Sequence, residues 1–125
     1  MKLRTKPVYL SETDMYKEFL KHSGNILPKE KRLTETEMDI LSVFWDFQGN
    51  NLELLRFSPQ IKKLVREKFN FKKHANLENY LKSLRDKGYI TKDQNGFTVI
   101  TKAFDLKKPI QSIEITYEYR LQEGS

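Results

Sequence analysis

The sequence predicts a mainly helical α+β fold in which helices lead into a β-hairpin, with an amphipathic helix ahead of them and a single strand after them. Three observations carry this. Helix-start signals at Ser11, Thr34 and Ser58 each precede apolar residues spaced three and four apart. Beyond Gly88 the apolar period shortens from about 3.6 to 2, the change that separates a helix from a strand. Finally, Asn95-Gly96 stands between two such period-2 runs, where the chain must reverse.

Taken in order, Ser11 and Asp14 open the first helix, and Met15, Tyr16, Phe19 and Leu20 give it one apolar stripe before Gly24 ends it. Residues 25–32 contain Pro28 among Lys and Glu and read as a linker. Thr34 and Glu37 have the spacing of a capping box, in which each side chain satisfies the other's backbone N–H. The helix they open carries a wide apolar arc (Met38, Leu41, Phe44 and Trp45, flanked by Ile40 and Phe47), as expected of a central helix touched from several directions, and Gly49-Asn50-Asn51 closes it. Residues 51–57 form a short connection suited to a brief extended segment. Ser58-Pro59 pairs a good N-cap with a proline at the first helical position, where no N–H is needed. The helix that follows buries Ile61, Leu64, Val65 and Phe69 and spreads Lys62, Lys63, Arg66 and Lys68 over its remaining surface. After a tight turn at Asn70-Phe71-Lys72, a further helix runs from about Lys73 to Lys87, with Leu77, Tyr80, Leu81 and Leu84 inward and Gly88 as its left-handed stop. Residues 89–92 and 97–101 form the hairpin. The tail from Gln111 to Leu121 alternates, with Ile113, Ile115, Tyr117, Tyr119 and Leu121 on one side, and predicts a strand with one buried face. Its candidate partners are the hairpin, the N-terminal segment from Lys2 to Leu10, or the same strand of a second subunit. The chain thus divides into an N-terminal arm, helix and linker (1–32), a main domain (33–101) and a C-terminal strand extension (102–125).

Composition narrows the function. The 125 residues, 38% of them hydrophobic, suit one core. There is no cysteine, so no disulfide framework, thiolate metal site or cysteine nucleophile is available. No apolar run is long enough for a signal peptide or a membrane span, and the expectation is a soluble, cytoplasmic protein without membrane partners, virion association remaining open. His22 and His74 are the only histidines, on different helices, and neither sits in a metal-ligand or acid/base pattern. No glycine-rich phosphate loop or nucleophile elbow occurs. The expectation is therefore a non-enzymatic protein with no catalytic residues, metal or cofactor. Charge is uneven: residues 58–92 carry ten Lys/Arg against three Asp/Glu, while 34–57 carry one against five. A basic block of limited extent is the footprint of a phosphate-backbone partner, or else a solvated lysine-rich surface.

The order of helix, helix, tight turn, helix and hairpin resembles the winged helix-turn-helix superfamily of bacterial and phage regulators. The run from Leu77 through Lys82, Arg85 and Gly88 to Ile90 resembles that family's recognition helix, glycine stop and first wing strand, and Thr34 to Gln48 resembles its opening helix. The resemblance covers about 70 of the 125 residues. It implies a fold that binds DNA, RNA or protein. At 100° per residue the third helix of the motif turns Ala75, Asn79, Lys82 and Asp86 outward, with Asn76, Glu78 and Ser83 beside them. Asn, Lys and Ser are residues that can bond base edges or phosphate. By the same resemblance Lys62, Lys63, Arg66, Lys72 and Lys73 fall where phosphates flank the groove, and Lys92 and Asn95 mark a wing expected to contribute little.

Two functions compete. The first is a regulator of transcription or replication that binds double-stranded DNA with helix 73–87 in the major groove, as a homodimer reading two half-sites. The second is a protein-interaction or structural module of a virion, replication or transcription assembly, docked through its N-terminal arm and strand 111–121. Glu78 and Asp86, which would repel phosphate, favour the second. RNA is a third partner that charge alone does not exclude.

Overall fold

A computed structural model of the chain describes residues 7–47, 56–108, 110–114 and 120–121. Among these residues four α-helices and a two-stranded antiparallel sheet follow one another as α1 (Glu12–Gly24), α2 (Glu35–Asp46), α3 (Pro59–Lys68), α4 (His74–Asp86), β1 (Ile90–Lys92) and β2 (Thr98–Ile100). The protein is α+β and mainly helical. Single 3-10 turns at Lys29–Lys31 and Lys102–Phe104 punctuate the connections.

Local chemistry explains where each helix begins. Ser11 accepts from the Asp14 N–H and Ser58 from the Ile61 N–H, each satisfying one of the donors that a helix start leaves unpaired. At Thr34 the full capping box forms: its hydroxyl accepts from the Glu37 N–H and its own N–H donates to Glu37 Oε1. Only α4 lacks a side-chain cap; its N-cap is Lys73, one residue before the helix rather than its first residue.

Helices α3 and α4 end by the same device. Asn70 (φ 56°) and Gly88 (φ 87°) take the left-handed conformation, and the residues after them reach back across the last turn, Phe71 N–H to Arg66 O and Tyr89 N–H to Leu84 O. At the hairpin tip Gly96 (φ 82°) is the left-handed residue after a turn closed from Gly96 N–H to Asp93 O, while Asp93 N–H pairs with Phe97 O. This is the three-residue loop with a glycine bulge. The strands pair Ile90 with Ile100, Thr91 with Val99 and Lys92 with Thr98.

The core centres on α2, whose Ile40, Leu41, Phe44 and Trp45 are fully buried. Leu77, Leu81 and Leu84 of α4, Val65 of α3, and Tyr89, Ile90 and Ile100 of the hairpin close around it. The first helix belongs to the same core: Tyr16 and Leu20 are buried, and the Tyr16 ring stacks on Trp45 at 4.4 Å. A helix expected to lead into the domain is thus one wall of it, because its stripe finds the indole of α2.

Four further expectations are corrected. Leu64, placed on the buried face of α3, is 48% exposed, since Ile61, Val65 and Phe69 already fill the contact with the core. Of the connection 51–57, residues 51–55 lie outside the described residues, and Arg56 and Phe57 form a buried turn rather than an extended segment. Residues 111–114 and 120–121 of the tail carry no strand, while 115–119 lie outside the described residues. The linker holds a 3-10 turn whose Lys31 ammonium donates to the Asp86 carbonyl at the end of α4.

Past the hairpin, residues 104–108 fold back as a strap. Tyr16 Oη donates to the Phe104 carbonyl (2.7 Å) and Trp45 Nε1 to the Leu106 carbonyl (2.7 Å). Between them the buried Arg56 guanidinium meets Asp105 at 3.0 Å. Lys108 donates to the Asp46 carbonyl and carboxylate, and its ammonium lies 5.2 Å from the centre of the Trp45 ring. Buried Tyr and Trp need a partner for their polar tips, and the strap's carbonyls supply it.

Candidate nucleic-acid interface

Helix α4 exposes Ala75, Asn76, Asn79, Lys82, Arg85 and Asp86. Leu77, Leu81 and Leu84, spaced three and four apart, hold the opposite face in the core, so the exposed residues share one side of the helix. Asn76, Asn79 and Lys82 have no side-chain partner among the described contacts, so their donors and acceptors face solvent.

Two other candidates are engaged. Ser83 is half-buried, and its hydroxyl donates to Glu37 Oε2. Lys62 is half-buried and bridges from α3 to Glu78 of α4 at 3.1 Å. That pair neutralises one of the two acids near the exposed face. Asp86, the other, sits at the end of α4.

Glu37 is the most constrained ionisable group in this region. It is 3% exposed, yet all its neighbours are donors: Thr34 N–H, Ser83 Oγ and the Lys87 ammonium at 2.6 Å. Burial pushes its pKa up, but the hydrogen bonds from Lys87, Ser83 and Thr34 outweigh burial and hold the carboxyl below the usual range. One carboxylate therefore fastens the start of α2 to the last turn of α4. A hollow of about 310 Å³ lies over it, rimmed by Asn79 and Tyr80.

The α3–α4 turn carries the other basic candidates. Lys63, Lys72 and Lys73 are exposed and Arg66 is half-buried. A ladder of stacked rings, Phe69 on Phe71 at 5.8 Å and Phe71 on Tyr80 at 5.6 Å, stiffens the turn that bears them. At the hairpin, Lys92 and Asn95 are exposed, with the Asn95 N–H bonded to Asp93 Oδ1. Lys92 faces a second feature that sequence reading missed, an open groove of about 760 Å³ between the hairpin and the strap. Lys102 and Lys107 join it there, both exposed, and Val99, Ile100 and Leu106 line it. Lys102 lies just past β2, and the strap's return brings Lys107 to join it and Lys92, a meeting that no local pattern in the sequence marks. Arg85, exposed on α4, was also missed, although the 100° projection places it near Lys82.

Among the described residues no group of three or more His, Cys, Asp or Glu side chains gathers to hold a metal ion, and no helix is long and apolar enough to cross a membrane. His22 lies 3.3 Å from Glu18, one turn earlier on α1. Compared with protein-family models, with curated proteins and with solved structures, the chain matches none.

Proposed function

We propose that the chain is a non-enzymatic DNA-binding protein of winged-helix architecture, an intracellular regulator of transcription or replication that lays α4 in the major groove. The observation that carries this reading is the exposed side of α4, where Asn76, Asn79 and Lys82 have no side-chain partner among the described residues while the Leu stripe behind them is buried. Lys63, Lys72 and Lys73 flank it on α3 and the turn, where cations meet phosphate. The objection from acidic residues weakens because Glu78 is paired with Lys62.

The test is fluorescence anisotropy with mixed-sequence and genomic duplexes at ~50 mM salt, where backbone attraction is strong. Binding is expected, with affinity falling steeply as salt rises. Lys63→Ala should weaken all sequences alike and lower the salt slope by about 1, whereas Asn79→Ala should change sequence preference. Absence of binding at low salt ends the proposal. Competition with single-stranded DNA and RNA separates the nucleic-acid classes.

A second reading, as a protein-interaction module, is favoured by the lysine-rimmed groove beside the hairpin, which has an apolar lining that a phosphate backbone does not need.

A further inference from the structure

We infer that the groove between the hairpin and the strap is a docking site for the C-terminal tail of a second copy of this chain, exchanged reciprocally in a symmetric dimer.

The charge of the groove is one-sided. Two aspartates and four lysines line it, and of the aspartates only Asp105 is cancelled by a cation outside the lining. Asp93 Oδ1 accepts the N–H groups of Asn95 and Phe97 inside the turn, and Asp105 is held by Arg56. Of the lysines, Lys108 is bound to Asp46, whereas Lys92, Lys102 and Lys107 are exposed and enter no ion pair among the described residues. Three unpaired ammonium groups against the single charge of Asp93 therefore leave the groove net positive around a lining of half-buried Val99 and Leu106 and buried Ile100. Such a site fits a segment that is acidic on one side and apolar on the other.

The chain contains that segment. Between Gln111 and Leu121 the apolar residues Ile113, Ile115, Tyr117, Tyr119 and Leu121 alternate with a side of Ser112, Glu114, Thr116, Glu118 and Arg120, two acids against one base. Extended, this pattern presents acids and apolar groups to opposite faces, so one side can pack on Val99 and Leu106 while the other answers the lysines at the rim. The hairpin is a sheet of only two strands among the described residues, so an added strand would also find backbone partners. Of the described residues of this stripe, Leu121 is 92% exposed on its own chain and Ile113 half-buried. A contact of one chain's tail with the other's groove is made twice in a two-fold dimer. This inference does not rest on the DNA reading.

Charge exchange tests it. The full chain with K92E, K102E and K107E has an acidic groove and an acidic tail; the full chain with E114K and E118K has a basic groove and a basic tail. Sedimentation velocity at low micromolar concentration should show the unaltered chain as a dimer that dissociates as salt approaches ~1 M, where the Debye length is about 3 Å. Each variant alone should be a monomer, and an equimolar mixture should form a heterodimer. A cooperative thermal transition and parent-like helical circular dichroism in both variants establish that they fold, a lower midpoint being the expected result of lost association. A monomeric unaltered chain, or a mixture that stays monomeric, overturns the inference, including the case in which each tail lies in its own groove. Loss of duplex DNA affinity by the groove variant with a monomeric parent assigns the groove to nucleic acid and overturns it equally.

Discussion

Glu37 shows how much one side chain can do when its neighbours are all donors. As the third residue of α2 it completes the capping box and helps start the helix, and through Ser83 and Lys87 it also clamps the end of α4. Its role in the cap was legible from the Thr34–Glu37 spacing, because the geometry of a helix start is local. Its tie to Ser83 and Lys87 was not, since they lie 46 and 50 residues away and nothing in the alternation of α4 marks them as its partners. That is why Ser83 reads as a contact residue in the sequence and as a structural one in the fold. Glu37→Gln should cost about 1.5–3 kcal/mol in urea unfolding, the range for hydrogen bonds to a charged group. The pH dependence has a definite sign. The folded carboxyl has a lowered pKa, so its contribution is fully present above the unfolded value of about 4.3 and is lost as pH falls through the folded one. The stability gap between parent and Glu37→Gln should therefore shrink below about pH 4; a gap that widens there would contradict the network. Glu78 makes the opposite case. Its pairing with Lys62 across a partly exposed interface is worth at most about 1 kcal/mol, so Glu78→Gln should leave unfolding nearly unchanged. By releasing Lys62 it should tighten DNA binding and steepen its salt dependence by about 1.

At the scale of elements, the turn chemistry was the most readable part of the chain and the long-range pairing the least. Helix α3 starts and stops where Ser58-Pro59 and Asn70 direct, and α4 stops at Gly88, because caps and left-handed stops are decided by residues within a turn of each other. Gly88 needs its freedom for conformation alone: a Cβ there would meet nothing within 4 Å, yet φ is 87°. Gly88→Ala should consequently destabilise by about 1–2 kcal/mol, the cost of a left-handed L-residue, measured as a shift in urea midpoint with unchanged slope. An unaltered midpoint would mean that the α4–β1 junction is not under this constraint. Where a stripe packs is a different kind of question. The apolar face of α1 was plain from Tyr16 and Leu20, but a stripe does not name its partner, and only the Tyr16–Trp45 stack shows that α1 completes the core. Leu64 fails for a related reason. Helical spacing admits more apolar residues to a face than the neighbouring helices have room to cover.

The whole molecule is closed by its last described elements rather than its first. Hairpin and strap return the chain to α1 and α2, and this return gathers lysines that the sequence keeps apart, producing the groove; the sequence pattern, read element by element, ends the domain before the strap. The Tyr16 and Trp45 latches are each a single hydrogen bond to a carbonyl, worth about 1 kcal/mol, and the Arg56–Asp105 and Lys108–Asp46 pairs stand beside them, so the strap is held by several modest interactions. Tyr16→Phe, which removes the 2.7 Å bond to Phe104, should lower stability by about 1 kcal/mol while keeping the ring stack. Because the chain contains one tryptophan, and its indole is stacked on Tyr16, bonded to Leu106 and overhung by Lys108, the protein carries its own optical probe of this closure. Ultraviolet excitation of that lone ring reads a single position. Emission should move to longer wavelength when the strap lifts and water reaches the indole, in Tyr16→Phe or on titration with a ligand that displaces residues 104–108, before the helical circular dichroism changes at all.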